Sequence, residues 1–172
     1  MTAMDKVNAL GPEAFIDAFG TLYEHSPWVA EGAASARPFS DAEAMIAAMN
    51  DVVAQAGEAA QRALVRAHPE LARRVGVDPD LTQASREEQR SAGLDRLLPE
   101  EFARFSALNA AYREKFDMPF VICVRLTDKA GILVAMEHRL TLSPVQELHT
   151  ALEQIGHIAG LRLKDHLSTV GV

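Results

Sequence analysis

The six residues Arg66-Ala67-His68-Pro69-Glu70-Leu71 place an imidazole, which titrates near pH ~6.5 when unperturbed, immediately before a proline. Proline disfavours helical backbone at the residue before it and brings no N–H of its own, so His68 is expected on a bend that closes a helical pattern. Two roles fit that position: a general acid/base aimed into a cleft, or an imidazolium stabilising a helix C-terminus. A second polar group, Ser85-Arg86-Glu87-Glu88-Gln89, combines a hydroxyl, carboxylates and an amide at a helix start. Such a terminus suits a polar, anionic ligand, but Ser85 and Glu88 also have the spacing of a capping box, in which Glu88 merely satisfies an end amide. Arg139 offers a bidentate clamp for a carboxylate or planar urea-like group, or a solvated surface charge.

The histidines lack the i, i+4 pairing of a zinc helix, and the single cysteine, Cys123, supports neither a disulfide nor a thiolate metal site. Phosphate-loop, dinucleotide and nucleophile-elbow motifs are absent from the sequence, so any chemistry rests on side chains alone.

The elements that must position these groups are helical. Pro12 opens a segment with Phe15, Phe19, Leu22 and Tyr23 on one face, closed by Ser26-Pro27. Ser40 and Glu43 read as a capping box ahead of Met45, Met49, Val52, Val53, Ala56, Ala60 and Leu64, one long helix delivering His68. Pro99 opens a helix with a Phe102, Phe105, Leu108, Tyr112 and Phe116 stripe, and Ser143-Pro144-Val145-Gln146 starts a long C-terminal one. Gly32 to Pro38 reads as a loop and Asp78-Pro79-Asp80 as a turn. Met118-Pro119-Phe120-Val121-Ile122-Cys123-Val124 stands apart: apolar, β-branched and without a second strand to pair with. It reads as buried extended backbone or a packed helix start, whose amide groups need partners, a ligand among them.

At 172 residues, 48% apolar, the chain is one domain's worth and builds a core without disulfides. A net charge of -7 without a basic cluster argues against nucleic-acid binding. Neither a signal-peptide pattern nor an apolar run of ~18 residues is visible, so a cytoplasmic location and no membrane partner are expected.

The order and wording of three segments resemble one family: His68-Pro69-Glu70-Leu71, then Ser85-x-x-Glu88-Gln89-x-x-Ala92-Gly93-Leu94, then Phe120-Val121-Ile122-Cys123-Val124. Together they look like the signature of the 2-oxo-4-hydroxy-4-carboxy-5-ureidoimidazoline (OHCU) decarboxylases, which form (S)-allantoin in urate breakdown. The likeness extends from Ser26-Pro27-Trp28-Val29-Ala30 and Arg37-Pro38-Phe39 to Ile155 and Leu161-Arg162-Leu163. It implies an all-α helical bundle, a single domain over 1–172, cofactor-free and metal-free, usually a homodimer, acting on an anionic ureidoimidazoline. Carried onto this chain, the resemblance makes His68 the catalytic acid/base and Glu88 its acidic companion. Pro69, Ser85, Arg86, Glu87, Glu88, Gln89, the Phe120, Val121, Ile122, Cys123 and Val124 backbone, and Arg139 would bind the substrate. One departure is visible: family members often follow that arginine with Leu-x-Asn, and here Leu140-Thr141-Leu142 follows it. The rival expectations are a non-catalytic helical interaction module of the same fold, or a related decarboxylase acting on another ureido or imidazoline acid.

Overall fold

Side-chain caps and prolines set where the helices begin. The computed structural model describes residues 1–73 and 80–169; over these the chain forms nine α-helices and two short 3-10 turns, with no strand. The expected turn at Asp78-Pro79-Asp80 lies outside the described residues except for Asp80. No helix among the described residues is long and apolar enough to cross a membrane.

One compact unit comprises Met1–Ala67 and Ile155–Val172. Its first helix, α1 (Ala3–Ala9), is absent from the sequence expectations and is capped reciprocally by Thr2 and Asp5. Helix α2 (Pro12–Phe19) starts at the expected proline but ends at Gly20, leaving Leu22 and Tyr23 buried in the turns beyond it. The segment Gly32 to Pro38, expected as a loop, is largely the end of α3 (Trp28–Ala33) and a 3-10 turn at Ala34–Ala36. Helix α4 (Ala42–Gln55) is capped not by Ser40 but by Asp41, whose carboxylate accepts the Ala44 N–H at 2.7 Å; Ser40 donates its hydroxyl to that carboxylate. The single long helix expected up to His68 is broken at Gly57, whose φ of 87° is open to glycine and unfavourable for other residues. Helix α5 (Glu58–Arg66) starts afresh behind it. Polar contacts tie this unit together: buried Tyr23 donates to Asn50 Oδ1 at 2.7 Å, and Arg162 pairs with Glu24 in the interior at 2.8 Å.

The other unit, His68–Gln154, carries every candidate site residue. It contains α6 (Gln83–Ser91), α7 (Pro99–Phe116), α8 (Lys129–Arg139) and the first turns of α9 (Pro144–Thr169). Helix α7 begins at the expected Pro99, with Glu101 accepting the Leu98 N–H. Phe105, Tyr112 and Phe116 on α7 are buried, and each phenylalanine contributes about 1.5–3 kcal/mol by leaving water. The start of α9 is the anticipated one: Ser143 Oγ accepts the Gln146 N–H at 3.2 Å, and Gln146 Oε1 accepts the Ser143 N–H at 3.0 Å.

Candidate active site

His68 lies just beyond α5, whose last turn is closed by the Ala67 N–H donating to Ala63 O at 3.0 Å. It is only 6% exposed. The backbone that follows is tied down at successive residues. Leu71 O accepts from Asn109 Nδ2 on α7 at 2.8 Å, and the Ala72 N–H donates to Gln89 Oε1 on α6 at 3.4 Å. Glu70 pairs with Arg113, also on α7. Between these ties Ala72 is held at φ 52°, a left-handed conformation costing a non-glycine residue about 1–2 kcal/mol. Such strain persists only where the surroundings over-determine the backbone.

The structure excludes the capping-box reading of the second polar group. The N-cap of α6 is Thr82, whose hydroxyl accepts the Ser85 N–H at 3.2 Å, so Ser85 is the third residue of the helix and not its cap. Glu88 therefore lies a full turn inside α6, and the Ser85–Glu88 capping box does not form. Ser85 is buried and Glu88 half-buried. The Ala92-Gly93-Leu94 part of the motif is the helix stop. Gly93 takes φ 76°, its N–H donates to Arg90 O, and the Leu94 N–H donates to Gln89 O at 3.0 Å. That is a Schellman closure, with Leu94 buried behind it.

Residues Phe120 to Cys123 form neither helix nor strand, and a 3-10 turn follows at Val124–Leu126. Their backbone has protein partners: Val121 O accepts from Arg139 Nη1 at 2.7 Å, and the Cys123 N–H donates to Gln154 Oε1 at 3.0 Å. Helix α6 packs against the 3-10 turn. The Glu88 carboxylate is near enough to act on Cys123: burial pushes that thiol up from its ordinary range, and the carboxylate adds to the rise. His68's segment, α6 and the Phe120–Val124 run thus converge through Gln89 and Glu88.

Arg139 is 4% exposed, which removes the surface-charge reading. Its guanidinium is turned inward. Nε and Nη2 both meet Glu147 Oε1, Nη1 meets Val121 O, and the plane lies over the Phe120 ring at 4.2 Å. Glu87 is exposed and accepts from Gln83 along its own helix at 3.1 Å, so the structure does not bring its carboxylate to the others. Arg86 Nη2 reaches back to Leu81 O at 3.4 Å. Pro69 and Ile122 are half-buried. Among the described residues no group of three His, Cys, Asp or Glu side chains is placed to hold a metal.

Four residues that hold this site are not among the expected site residues: Asn109, Glu147, Gln154, and Tyr112, which the sequence gives only a place in an apolar stripe. A signal existed for two of them. Asn109 and Tyr112 share the buried stripe of α7 with Phe105 and Phe116, and a polar side chain in an apolar stripe needs a partner.

A model of the OHCU decarboxylase family matches residues 8–164. The chain belongs to the OHCU decarboxylase family. The Haloferax volcanii protein named 2-oxo-4-hydroxy-4-carboxy-5-ureidoimidazoline decarboxylase is 43% identical, over 96% of this chain and 96% of its own length. The mouse protein of that name is 40% identical over 95% of this chain and 92% of its own. Against the uric acid degradation bifunctional protein of Bacillus subtilis the identity is 33%, and this chain spans 34% of that longer one. A crystal structure of (S)-allantoin synthase superposes with TM-score 0.77 at 28% identity, covering 96% of this chain and 54% of that one. An OHCU decarboxylase crystallised in the presence of (S)-allantoin shares the fold, with TM-score 0.68 at 20% identity over 92% of this chain and 99% of that one. The expected all-α architecture is thus that of OHCU decarboxylases.

Proposed function

We propose that this protein decarboxylates OHCU to (S)-allantoin in urate degradation, with residues 1–172 working as one decarboxylase domain. The observation that carries the reading is that one compact unit, His68–Gln154, holds all three family segments and ties His68's segment to α6 through Gln89. Loss of carbon dioxide breaks a C–C bond and leaves an electron pair on the ring carbon. The substrate's own C=N and carbonyl groups absorb that pair, so no pyridoxal, thiamine or metal sink is required. The protein's task is to orient an anionic ring, to set the departing carboxylate against apolar surface, and to protonate the new centre on one face.

His68 supplies that proton and recovers one from solvent after product leaves. Glu88 hydrogen-bonds the substrate and biases the imidazole's charge state. Ser85, Arg86 and Gln89 orient the ureido and carboxylate groups, and Pro69 with the Phe120–Val124 run forms the wall. In this reading Arg139 serves the substrate through Val121, because its guanidinium is engaged by Glu147 and that carbonyl. Glu87 contributes through its place on α6. The enzyme works in the cytoplasm as a homodimer, which sedimentation of the purified chain checks.

The test is turnover. OHCU generated in situ from urate is followed by its ultraviolet absorbance with increasing protein. Decay accelerated in proportion to protein supports the proposal; decay at the uncatalysed rate refutes it.

A further inference from the structure

We infer that Glu147, with Tyr112 as its second support, is a positioning residue for the decarboxylation, holding Arg139 so that Arg139 fixes the backbone of the substrate wall. The inference rests on the functional reading above and concerns residues outside the three family segments. Glu147 is 0% exposed and sits in the first turn of α9. Its Oε1 collects three donors: Tyr112 Oη at 2.6 Å, Arg139 Nε at 2.8 Å, and Arg139 Nη2. Its Oε2 is buried and makes no hydrogen bond among the described residues. One carboxylate oxygen therefore holds both Tyr112 and one edge of the guanidinium.

The other edge points Nη1 at Val121 O, while the Phe120 ring beneath keeps the plane. Tyr112 closes the cluster edge-on to Phe120, with ring centroids 5.5 Å apart. Val121 C=O belongs to the peptide group before Ile122, and the Cys123 N–H, held by Gln154, belongs to the one after it. Both peptide planes around Ile122 are thus clamped, which sets the shape of the wall at its middle residue.

A buried ion pair is weak evidence for a role in stability. Apolar residues of similar volume replace a buried ion pair with little loss, and often with a gain, whereas deleting one partner strands a buried charge. Nη1, the guanidinium edge that Glu147 does not grip, is aimed at the backbone of the wall.

The experiment compares wild type, Glu147→Gln, and the charge-free double variant Arg139→Met with Glu147→Leu. Thermal melting, kcat and KM with OHCU, and hydrogen exchange at residues 121–123 are measured on each. The double variant is expected to fold but to melt below wild type, because Tyr112 Oη and Val121 O lose their partners, to exchange faster at the Ile122 amide, and to lose ~10–100-fold in kcat with a smaller change in KM. Glu147→Gln keeps an acceptor oxygen but not the charge, and falls between. Wild-type kcat in a well-folded double variant overturns the inference. Should the double variant not fold, Glu147→Gln decides: full kcat with unchanged exchange overturns it, and reduced kcat with faster exchange supports it. Wild type inert on OHCU would instead fail the functional reading, and the exchange data would still report whether the clamp exists.

Discussion

Replacing Asn109 by leucine separates what holds the site from what holds the fold. Asn109 is 5% exposed; its Nδ2 donates to Leu71 O at 2.8 Å, while its Oδ1 is buried and makes no hydrogen bond among the described residues. Two effects of similar size then oppose each other. Losing the donor strands Leu71 O, at a cost of about 1–3 kcal/mol, and removing the buried amide oxygen relieves a desolvation penalty of about the same size. The net change is expected to stay within about 1 kcal/mol, or about 2–4 °C in Tm for a chain of this length. The site has no such compensation. Leu71 stands three residues after His68, and Ala72 beside it is held at φ 52° against a cost of about 1–2 kcal/mol. Freed from Asn109, that backbone relaxes, and His68 loses its fixed approach to the ring. A misplacement of about 1 Å is enough to cost about 100-fold in rate. The assay pairs a thermal melt with kcat on OHCU. Near-wild-type melting with kcat lowered ~10–100-fold is the expected outcome; wild-type kcat at any Tm refutes the tether.

Glu88→Gln removes charge from a residue that lies beyond the α6 N-cap, so kcat should fall and its pH profile shift, while Cys123, freed of a neighbouring negative charge, alkylates faster at a given pH. Full activity with an unchanged profile would reduce Glu88 to a surface of α6. Alkaline stability provides a separate check. Burial raises Tyr23, Tyr112 and Cys123 above their ordinary ranges, with Glu147's hydrogen bond adding to the rise at Tyr112. In the unfolded chain these groups ionise near pH ~8.5 for the thiol and ~10 for the phenols, so above those values the folded state binds more protons. Stability must then fall as pH rises, starting above pH ~8.5. Urea midpoints that stay level between pH 8 and pH 10.5, taken as round assay values about either side of those pKa values, would contradict this.

What the sequence made legible was local. The bend at His68-Pro69 follows from proline stereochemistry alone, and the start of α9 follows from a serine and a glutamine three residues apart. The start of α6 was ambiguous for the same local reason. Thr82 and Ser85 are both cap formers, three residues apart, and Thr82 takes the cap. The break at Gly57 was hidden because Ala56, Ala60 and Leu64 continue the apolar spacing of α4 through a residue whose positive φ the pattern ignores. The partners of the site's supports were illegible for a different reason. Tyr112 and Glu147 are 35 residues apart, Asn109 and Leu71 are 38 apart, and Arg139 and Val121 are 18 apart. Only tertiary packing brings such pairs together, and an arginine eight residues before a glutamate gives no hint that both are buried.

If His68 protonates one face of the decarboxylated ring, as proposed, the chirality of the product reads that act directly. Spontaneous decay of OHCU yields racemic allantoin, so the circular dichroism of allantoin formed with wild type and with His68→Asn tells protein-directed protonation from solvent protonation. A full (S)-allantoin signal is expected with wild type, and none above the protein-free control with His68→Asn at equal fold stability. An (S) signal from His68→Asn at the wild-type rate, or no signal from wild type, would contradict the proposal.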